Sequence, residues 1–574
     1  MTLGIELPAG WPVKSLGEIE AMLTAPGMPF ETDVVEIRGI PTRVWKNALP
    51  DLSALVAQGR SHGEATFLIY EDERVSYDAW HRAVAAFAAH LQSLGVAKGD
   101  RVALAMRNLP EWPVVFYAVV SIGAICVPLN AWWTAPELAY GLDNSGAKVL
   151  VCDGERLERI LPHRAERAAL EHVIASRLDA PVEGVARLED VIGPSSAWAS
   201  LPDAELPQVA LHADDPATIL YTSGTTGNPK GALGTHRNFL SNILSSGYVA
   251  ARSFLRRGEA LPEPSKKVML TVIPLFHATA CSATMMGAVA GGHTIILMYK
   301  WDPVKAFGII EREKVNATGG VPTIAWQLIE HPERANYDLS SIESIGYGGA
   351  PSAPELVRKI YETFGAMPGN GWGMTETTAT VTTHSGEDYI NRPTSAGPAV
   401  AAADIEIRGE DGVTVLPAGE IGELWARGPM IVAGYWNNPE ASAATFVDGW
   451  VRTGDLARID DEGFLFIADR AKDMVIRGGE NIYSTEVENA LYEHPAVTDA
   501  AVVGIPHRVL GEEPAAVVHL GAGLDATEAE LQDFCRARIA AFKVPVKILF
   551  HAEGLPRNAN GKILKKDLRA LFEG

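Results

Sequence analysis

Between Tyr221 and Gly231 the chain reads Tyr-Thr-Ser-Gly-Thr-Thr-Gly-Asn-Pro-Lys-Gly: three glycines, four aliphatic hydroxyls and a lysine, directly after the apolar run Ala217–Leu220. Glycines let backbone N–H groups come close to oxyanions, the hydroxyls donate further hydrogen bonds, and Lys230 brings a mobile positive charge. The stretch therefore predicts a strand that empties into a phosphate-holding loop. It is not a Walker A loop, because Gly-x4-Gly-Lys-Ser/Thr cannot be aligned on it. A flexible turn of the same composition would need none of this convergence behind a buried strand.

A chain of 574 residues is too long for one ordinary core, so at least two domains are expected. Its formal net charge of −22 argues against non-specific nucleic-acid binding, which rests on neutralising phosphates. Any positive charge used for a phosphate must be concentrated locally. The cysteines Cys126, Cys152, Cys281 and Cys535 are scattered without a Cys-x-x-Cys pair, which fits a reducing cytoplasm better than a disulfide or zinc framework. The N-terminus lacks the basic start and apolar core of a signal peptide. The uncharged run Val114–Leu129 contains Gly123 and Pro128 and is shorter than the roughly 20 residues of a membrane span. It predicts a buried helix feeding a strand, with no integral membrane segment.

Residues 1–50, rich in proline, read as a surface extension packed on the main body. It could bury an interface in a homodimer or simply cover the core. Helical spacing over Tyr77–Leu94 precedes buried strands at Arg101–Met106 and Ala147–Cys152. Strands and helices go on alternating through Lys267–Pro274, His293–Met298 and Ser344–Gly348, which predicts layered α/β architecture with mainly parallel sheets. Ala251–Ser265 reads as less regular, ending in a polar loop. From Ala403 to Ile467 short alternating strands predict a β-barrel-like subdomain. After Arg470 a compact set follows: strand Met474–Ile476, helix Ser484–Tyr492, strands Ala500–Val503 and Ala515–Val518, and helix Glu528–Ile539, enough for a second domain of about 100 residues.

Five further stretches carry chemistry-bearing residues: Ile273–His277, Tyr347–Pro351 with Asn370–Thr377, Trp450–Asp455, Asp469–Asp473 leading into Arg477–Ile482, and Pro556–Lys562. Together with the opening loop, and in this order, they resemble the signature motifs of the adenylate-forming superfamily, which holds acyl- and aryl-CoA synthetases, beetle luciferases and peptide-synthetase adenylation domains. The resemblance spans roughly residues 50–570. It implies that ATP activates a carboxylate to acyl-AMP with loss of pyrophosphate, and that the acyl group then passes to an acceptor. It also implies an N-terminal adenylating domain over 51–469, a hinge at 470–472 and a mobile α+β C-terminal domain over 473–574 that swings between adenylating and thioester-forming poses.

Carried over residue by residue, the resemblance assigns Thr222, Ser223, Gly224, Thr225, Thr226, Gly227 and Lys230 to the ATP phosphates. Gly349, Ala350, Pro351, Gly371, Trp372, Gly373 and Met374 would form the adenine wall, with Trp372 where the family usually has tyrosine. Thr375 would sit by the α-phosphate. Glu376, with Thr222, would hold Mg²⁺, a hard cation that prefers oxygen ligands. Asp455 would take the ribose hydroxyls and Arg470 ribose and phosphate. Lys472 would be the hinge residue, and Gly478 and Gly479 would line the coenzyme A pantetheine path. Lys562 would span carboxylate and phosphate. A carboxylate attacking a phosphate is anion meeting anion, and an ammonium at both oxygens offsets that repulsion. Catalysis is thus assigned to Lys562, Thr222, Lys230 and Glu376.

His277, Gly319, Gly320, Val321, Gly348 and Gly371 fall at acyl-pocket positions. The family's usual glycine three residues after His277 is Ala280 here. Glycines where aryl-specific relatives often carry larger side chains predict a medium- or long-chain fatty acid or a bulky alicyclic acid. The reading is an acyl-CoA ligase using ATP, Mg²⁺ and coenzyme A. Its alternatives are an adenylase that hands the acyl group to an amine or carrier protein, and an inactive acyl or nucleotide sensor.

Overall fold

The computed structural model describes residues 5–572 except 6, 9, 223–227, 264, 349–353, 522 and 559–560. Its alternating strands and helices build two large sheets. The first is ordered Gly231–Thr235, Pro216–Tyr221, Ile125–Pro128, Arg101–Ala105, Val149–Asp153, His172–Ser176 and Ala186–Arg187, parallel apart from the hairpin of its first two strands. The second runs Thr382–Ser385, Met367–Trp372, Ser344–Gly348, Ala317–Gly320, Val268–Thr271, Thr294–Leu297, Thr66–Tyr70 and Glu73–Ser76, with only the two edge strands antiparallel. Parallel strands covered on both faces read as apolar runs. One core accordingly joins Phe67 and Leu68 of the second sheet to Val102 and Leu104 of the first through the helices Tyr77–Ser93 and Glu111–Ser121. Every residue of Glu111–Ser121 is buried, so the uncharged run is core helix followed by core strand. Among the described residues no helix is long and apolar enough to cross a membrane.

The third sheet is antiparallel, in the order Gly397–Pro398, Phe464–Arg470, Trp450–Ile459, Gly422–Arg427 and Asp404–Arg408, with Phe446–Val447 paired to Trp450–Ile459. The fourth combines Glu480–Ile482, Val475–Arg477, Gly511–Leu520, Val497–His507 and Lys547–Phe550. It packs on the helices Ser484–Tyr492 and Glu528–Arg536 around a core of its own that includes Val487, Leu491, Val502, Val518 and Leu531. In the N-terminal extension, helix Leu16–Leu23 starts at a capping box of Ser15 and Glu18, and Ile19 and Leu23 join Trp45 and Tyr248 in one cluster.

The structure departs from the sequence reading at Ala251–Ser265. Helix His236–Arg256 continues through the first half of that segment, because Arg252 and Arg256 point inward. Arg252 donates to the carbonyls of Ala399 and Thr383, and Arg256 pairs with Asp388 at 2.8 Å. The last long helix also stops at Arg536, short of Ile539, and the hairpin Val497–His507/Gly511–Leu520 outruns its apolar centre at both ends.

Candidate active site

The glycine-rich stretch joins two antiparallel strands. Its ends are tied by Thr222 N donating to Lys230 O at 2.8 Å and by Lys230 N donating to Thr222 Oγ1 at 3.3 Å. This anchors Thr222 and Lys230 at the rim of a cavity of about 2610 Å³. Ser223, Gly224, Thr225, Thr226 and Gly227 lie outside the described residues, as do Gly349, Ala350 and Pro351. The Lys230 ammonium sits 4.9 Å from the ring centre of Tyr435, and the Tyr435 hydroxyl donates to Glu376 Oε1 at 2.6 Å. Burial, reinforced by Glu376, pushes the Tyr435 phenol well up, so it stays a donor. Tyr435 thus couples the loop lysine to the buried Glu376 and was not singled out from sequence. The turn residues around it, Gly434 and Asn437-Asn438-Pro439, were the available signal.

Glu376 and Thr222 line the same cavity, and among the described residues no three His, Cys, Asp or Glu side chains gather into a metal cage. One carboxylate and one hydroxyl suit Mg²⁺, which keeps water and phosphate oxygens as its other ligands.

Asp455 and Arg470, distant in sequence, are Cα partners across the strands Trp450–Ile459 and Phe464–Arg470. Arg470 Nε lies 2.6 Å from Asp455 Oδ1, and the Trp372 indole N–H donates to Oδ2 at 2.7 Å. The indole therefore does more than present a flat face: it fixes a carboxylate only 2% exposed. Gly371, Trp372, Gly373, Met374 and Thr375 line the adjoining wall. A Cβ on Gly373 would fall 1.2 Å from the Ala379 carbonyl oxygen, so the turn into Glu376 needs that glycine.

The last loop of the chain reaches this cavity from the C-terminal unit. Gly561 N and Lys562 N donate to Asn558, and Arg557 holds the Gly561 carbonyl at 2.8 Å while pairing with Asp499. Gly561 has φ +75°, and a Cβ there would lie 2.6 Å from Val321 Cγ2. The loop thus seats against Val321 so closely that a side chain would lift it off. Lys562 enters the cavity where Arg470, Asp455 and Glu376 act on it, and burial followed by Arg470 holds its ammonium below the ordinary lysine range. Next to Arg470, Asp469 accepts from the Ser484 N–H and hydroxyl at the start of helix Ser484–Tyr492. The Ser484 hydroxyl accepts from Lys565, which also pairs with Glu488 at 2.7 Å. Burial is the largest influence on Asp469 and pushes it up to about 6.

His277 lines the cavity just before the π-helical turn Thr279–Met285. Burial, with the charge of Lys562 adding to it, lowers its imidazole from 6.5 to about 4. Between those values the unfolded chain binds a proton that the folded chain refuses, so this group makes stability rise with pH from about 4 to 6.5. In thermal melts, the Tm difference between wild type and His277→Asn should grow with pH across that window and level off above it. A pH-independent difference would mean a solvated imidazole.

Gly319, Gly320, Val321, Gly348 and Gly371 also line the cavity, but the reason inferred for the glycines changes. A Cβ on Gly319 would sit 1.9 Å from the Gly346 carbonyl oxygen, and one on Gly371 2.7 Å from that of Thr382; Gly320 is hemmed in by Ile324 and Val272. Gly319 and Gly371 serve close backbone approach, and Gly320 leaves room for two neighbouring side chains. The position that opens space is Gly346, exposed in the middle of a central strand, where a Cβ would meet nothing within 4 Å. Gly346 lines the same cavity as the small or short side chains Ser246, Val249 and Ala250. The alternation of Gly346 with Gly348 was the signal for it in the sequence.

Lys472 lines the cavity, whereas Gly478 and Gly479 do not: they form the exposed turn of the hairpin Val475–Arg477/Glu480–Ile482. With Lys562 inserted, that hairpin presents no residue to the site.

Residues 55–436 match the family model described as AMP-binding enzyme, and residues 486–562 match the AMP-binding enzyme C-terminal domain. The chain is 36% identical over 503 residues to the long-chain-fatty-acid–CoA ligase FadD13 of Mycobacterium tuberculosis, covering 87% of this chain and 94% of the relative. It is 35% identical to a feruloyl-CoA synthase of Amycolatopsis over 90% of this chain and 98% of the relative. Among solved structures, the anthranilate–CoA ligase AuaEII in complex with anthranoyl-AMP superposes with a TM-score of 0.81 at 26% identity, covering 91% of this chain and 97% of that one.

Proposed function

The chain belongs to the AMP-binding enzyme family and is an AMP-forming acid–CoA ligase using ATP, Mg²⁺ and coenzyme A; we propose that its acid is bulky or extended and that Lys562 carries the adenylation step. The observation that carries the second half is the Lys562 loop, seated against Val321 in the cavity that also holds Asp455, Glu376 and His277.

In this reading the adenine lies along Gly371–Met374, its ribose hydroxyls donate to Asp455, and Arg470 sits across the ladder at ribose and phosphate. Glu376 and Thr222 hold Mg²⁺, which when bound neutralises phosphate charge. Tyr435 keeps Glu376 aimed by occupying one of its oxygens, and holds Lys230 near the leaving phosphates through its ring. The substrate carboxylate attacks the α-phosphorus, and the bond to the β-phosphate breaks to release pyrophosphate. Lys562 offsets the repulsion between the two anions as that bond forms. No protein nucleophile is needed; positioning and charge carry the step. The coenzyme A thiol then attacks the acyl carbonyl and AMP leaves.

The empty Cβ direction at Gly346, in a cavity that Ser246, Val249 and Ala250 also line, supports an acid with bulk or length. The relatives, a long-chain-fatty-acid–CoA ligase and a feruloyl-CoA synthase, support the same class and favour coenzyme A over an amine acceptor. The net charge of −22 supports partners other than nucleic acid, and four buried, unpaired cysteines support a cytoplasmic setting.

The test is AMP release with ATP, Mg²⁺ and coenzyme A across acids from acetate to palmitate, with benzoate and alicyclic acids included. Coenzyme-A-dependent release should be greatest with the extended or bulky members. Pyrophosphate release indifferent to coenzyme A would assign another acceptor, and ATP binding without turnover would return the sensor reading.

A further inference from the structure

The N-terminal segment takes no part in the chemistry above, and the family match begins only at residue 55. It is nevertheless built against a helix that walls the cavity. Helix His236–Arg256 contributes Ser246, Val249 and Ala250 to the cavity lining. At about 100° of rotation per residue these three share one side of the helix, and the midpoint between Gly247 and Tyr248 falls on the opposite side. The segment packs on that rear side.

Phe30 touches both rear residues. A Cβ on Gly247 would lie 3.3 Å from Phe30 Cε1, and the Phe30 ring stands edge-on to Tyr248 at 5.9 Å between centres. Trp45 ends the hairpin Thr32–Ile37/Ile40–Trp45 and backs both rings, 6.1 Å from Phe30 and 5.6 Å from Tyr248. Its indole N–H donates to the Ser245 hydroxyl at 3.2 Å, and that hydroxyl donates to the Ser241 carbonyl at 2.8 Å. Trp45 and Tyr248 are buried, and they share one apolar cluster with Ile19, Leu23 and Val249 of the cavity lining. The segment also grips the end of the helix: the Val13 N–H donates to the Arg256 carbonyl at 2.8 Å, and Arg256 donates to the Lys14 carbonyl at 3.1 Å.

A close-packed interior transmits displacement because it compresses little. On the cavity side the helix is exposed at Ser246 and Ala250, so pressure from the rear is relieved toward the substrate. We propose that Phe30 and Trp45 are positioning residues for helix His236–Arg256 and thereby set the acyl length that the cavity accepts. The inference rests on the ligase reading above and on the acid lying beside Ser246, Val249 and Ala250.

The test compares kcat/KM for acids graded from acetate to palmitate in wild type, Trp45→Ala, Trp45→Phe and Gly247→Ala, with thermal melts alongside. Trp45→Ala removes the backing and lets the helix settle away from the cavity. The ratio of kcat/KM for long over short acids should rise by about 10-fold, since one methylene of fit is worth roughly 10–200-fold in an apolar pocket. Trp45→Phe keeps most of the backing and should stay near the wild-type ratio. Gly247→Ala must part the helix and the Phe30 ring by a few tenths of an ångström, and the ratio should fall by about threefold. That variant keeps the test open should Trp45→Ala not fold, because alanine suits a helix interior better than glycine. The KM for ATP should stay constant in all three, since the Trp372 indole is held by Asp455. Opposite shifts in Trp45→Ala and Gly247→Ala would establish positioning. A constant ratio in Gly247→Ala, or a uniform loss for every acid in Trp45→Ala, would overturn it. Ala250→Trp separates that failure from failure of the underlying reading. If it does not exclude long acids, the acid does not lie beside this helix; if it excludes them while the other ratios stay constant, the positioning role alone falls. Absence of coenzyme-A-dependent AMP release in the wild type with every acid would overturn the ligase reading itself.

Discussion

Lys562→Ala lowers the rate of acyl-AMP formation by roughly 10²–10³-fold, the usual cost of losing one preorganised donor at a developing charge. The expectation is specific because the loop is held by its backbone. Asn558 binds both ends of the turn, Arg557 fixes the Gly561 carbonyl, and Gly561 itself fits against Val321, so alanine at 562 removes an ammonium and leaves its mount. Arginine should not restore the rate, since a planar fork differs in reach and shape from a compact ammonium. Pyrophosphate exchange reads the step directly. Thioester formation from supplied acyl-AMP should survive, because Lys562 has no partner in that chemistry. Exchange in Lys562→Ala within a few-fold of wild type would show that the ammonium does not reach the reacting oxygens.

Gly346→Phe should cost on the order of 10²-fold or more in kcat/KM for acids that extend over that face, while acetate and other short acids keep their rates. The estimate follows from the roughly 10–200-fold worth of a single misfitting methylene in an apolar pocket. Gly346 is the place to make the change because its Cβ direction is empty; the same ring at Gly319 would strike the Gly346 carbonyl and disturb the strand pair itself. A profile of kcat/KM against acyl length decides the matter. A uniform loss for every acid would signal damage to the central strands, and no loss for long acids would place the acyl group elsewhere.

Much of this site was legible because its chemistry is written in short contiguous motifs, and the rest was not because it depends on pairings across the chain. Thr453-Gly454-Asp455 and Asp469-Arg470 could each be read alone, yet only the ladder register shows that Asp455 and Arg470 face one another and that Trp372 supplies a third partner. Tyr435 sits in an unremarked turn, and its role comes from two neighbours far away in sequence. The pocket glycines could be counted but not interpreted: whether a missing Cβ makes room or avoids a carbonyl depends on a neighbouring strand. Arg252 and Arg256 misled for a related reason, since a charged residue reads as solvated until its buried acceptors are known. By contrast the helix Ser484–Tyr492 and the strand Ser344–Gly348 occur where local pattern placed them, because apolar periodicity and alternation are properties of neighbouring residues.

The seating of Gly561 on Val321 has a consequence for how the protein is made. Lys562, the residue proposed to carry adenylation, enters the cavity on the loop 556–562, whereas most of the residues lining that cavity precede it in the chain. In synthesis the lining of the chamber therefore leaves the ribosome before the loop that carries its lysine. A chain cut short before residue 561 would keep the cavity-lining residues 107–492 and lack the loop that seats on Val321.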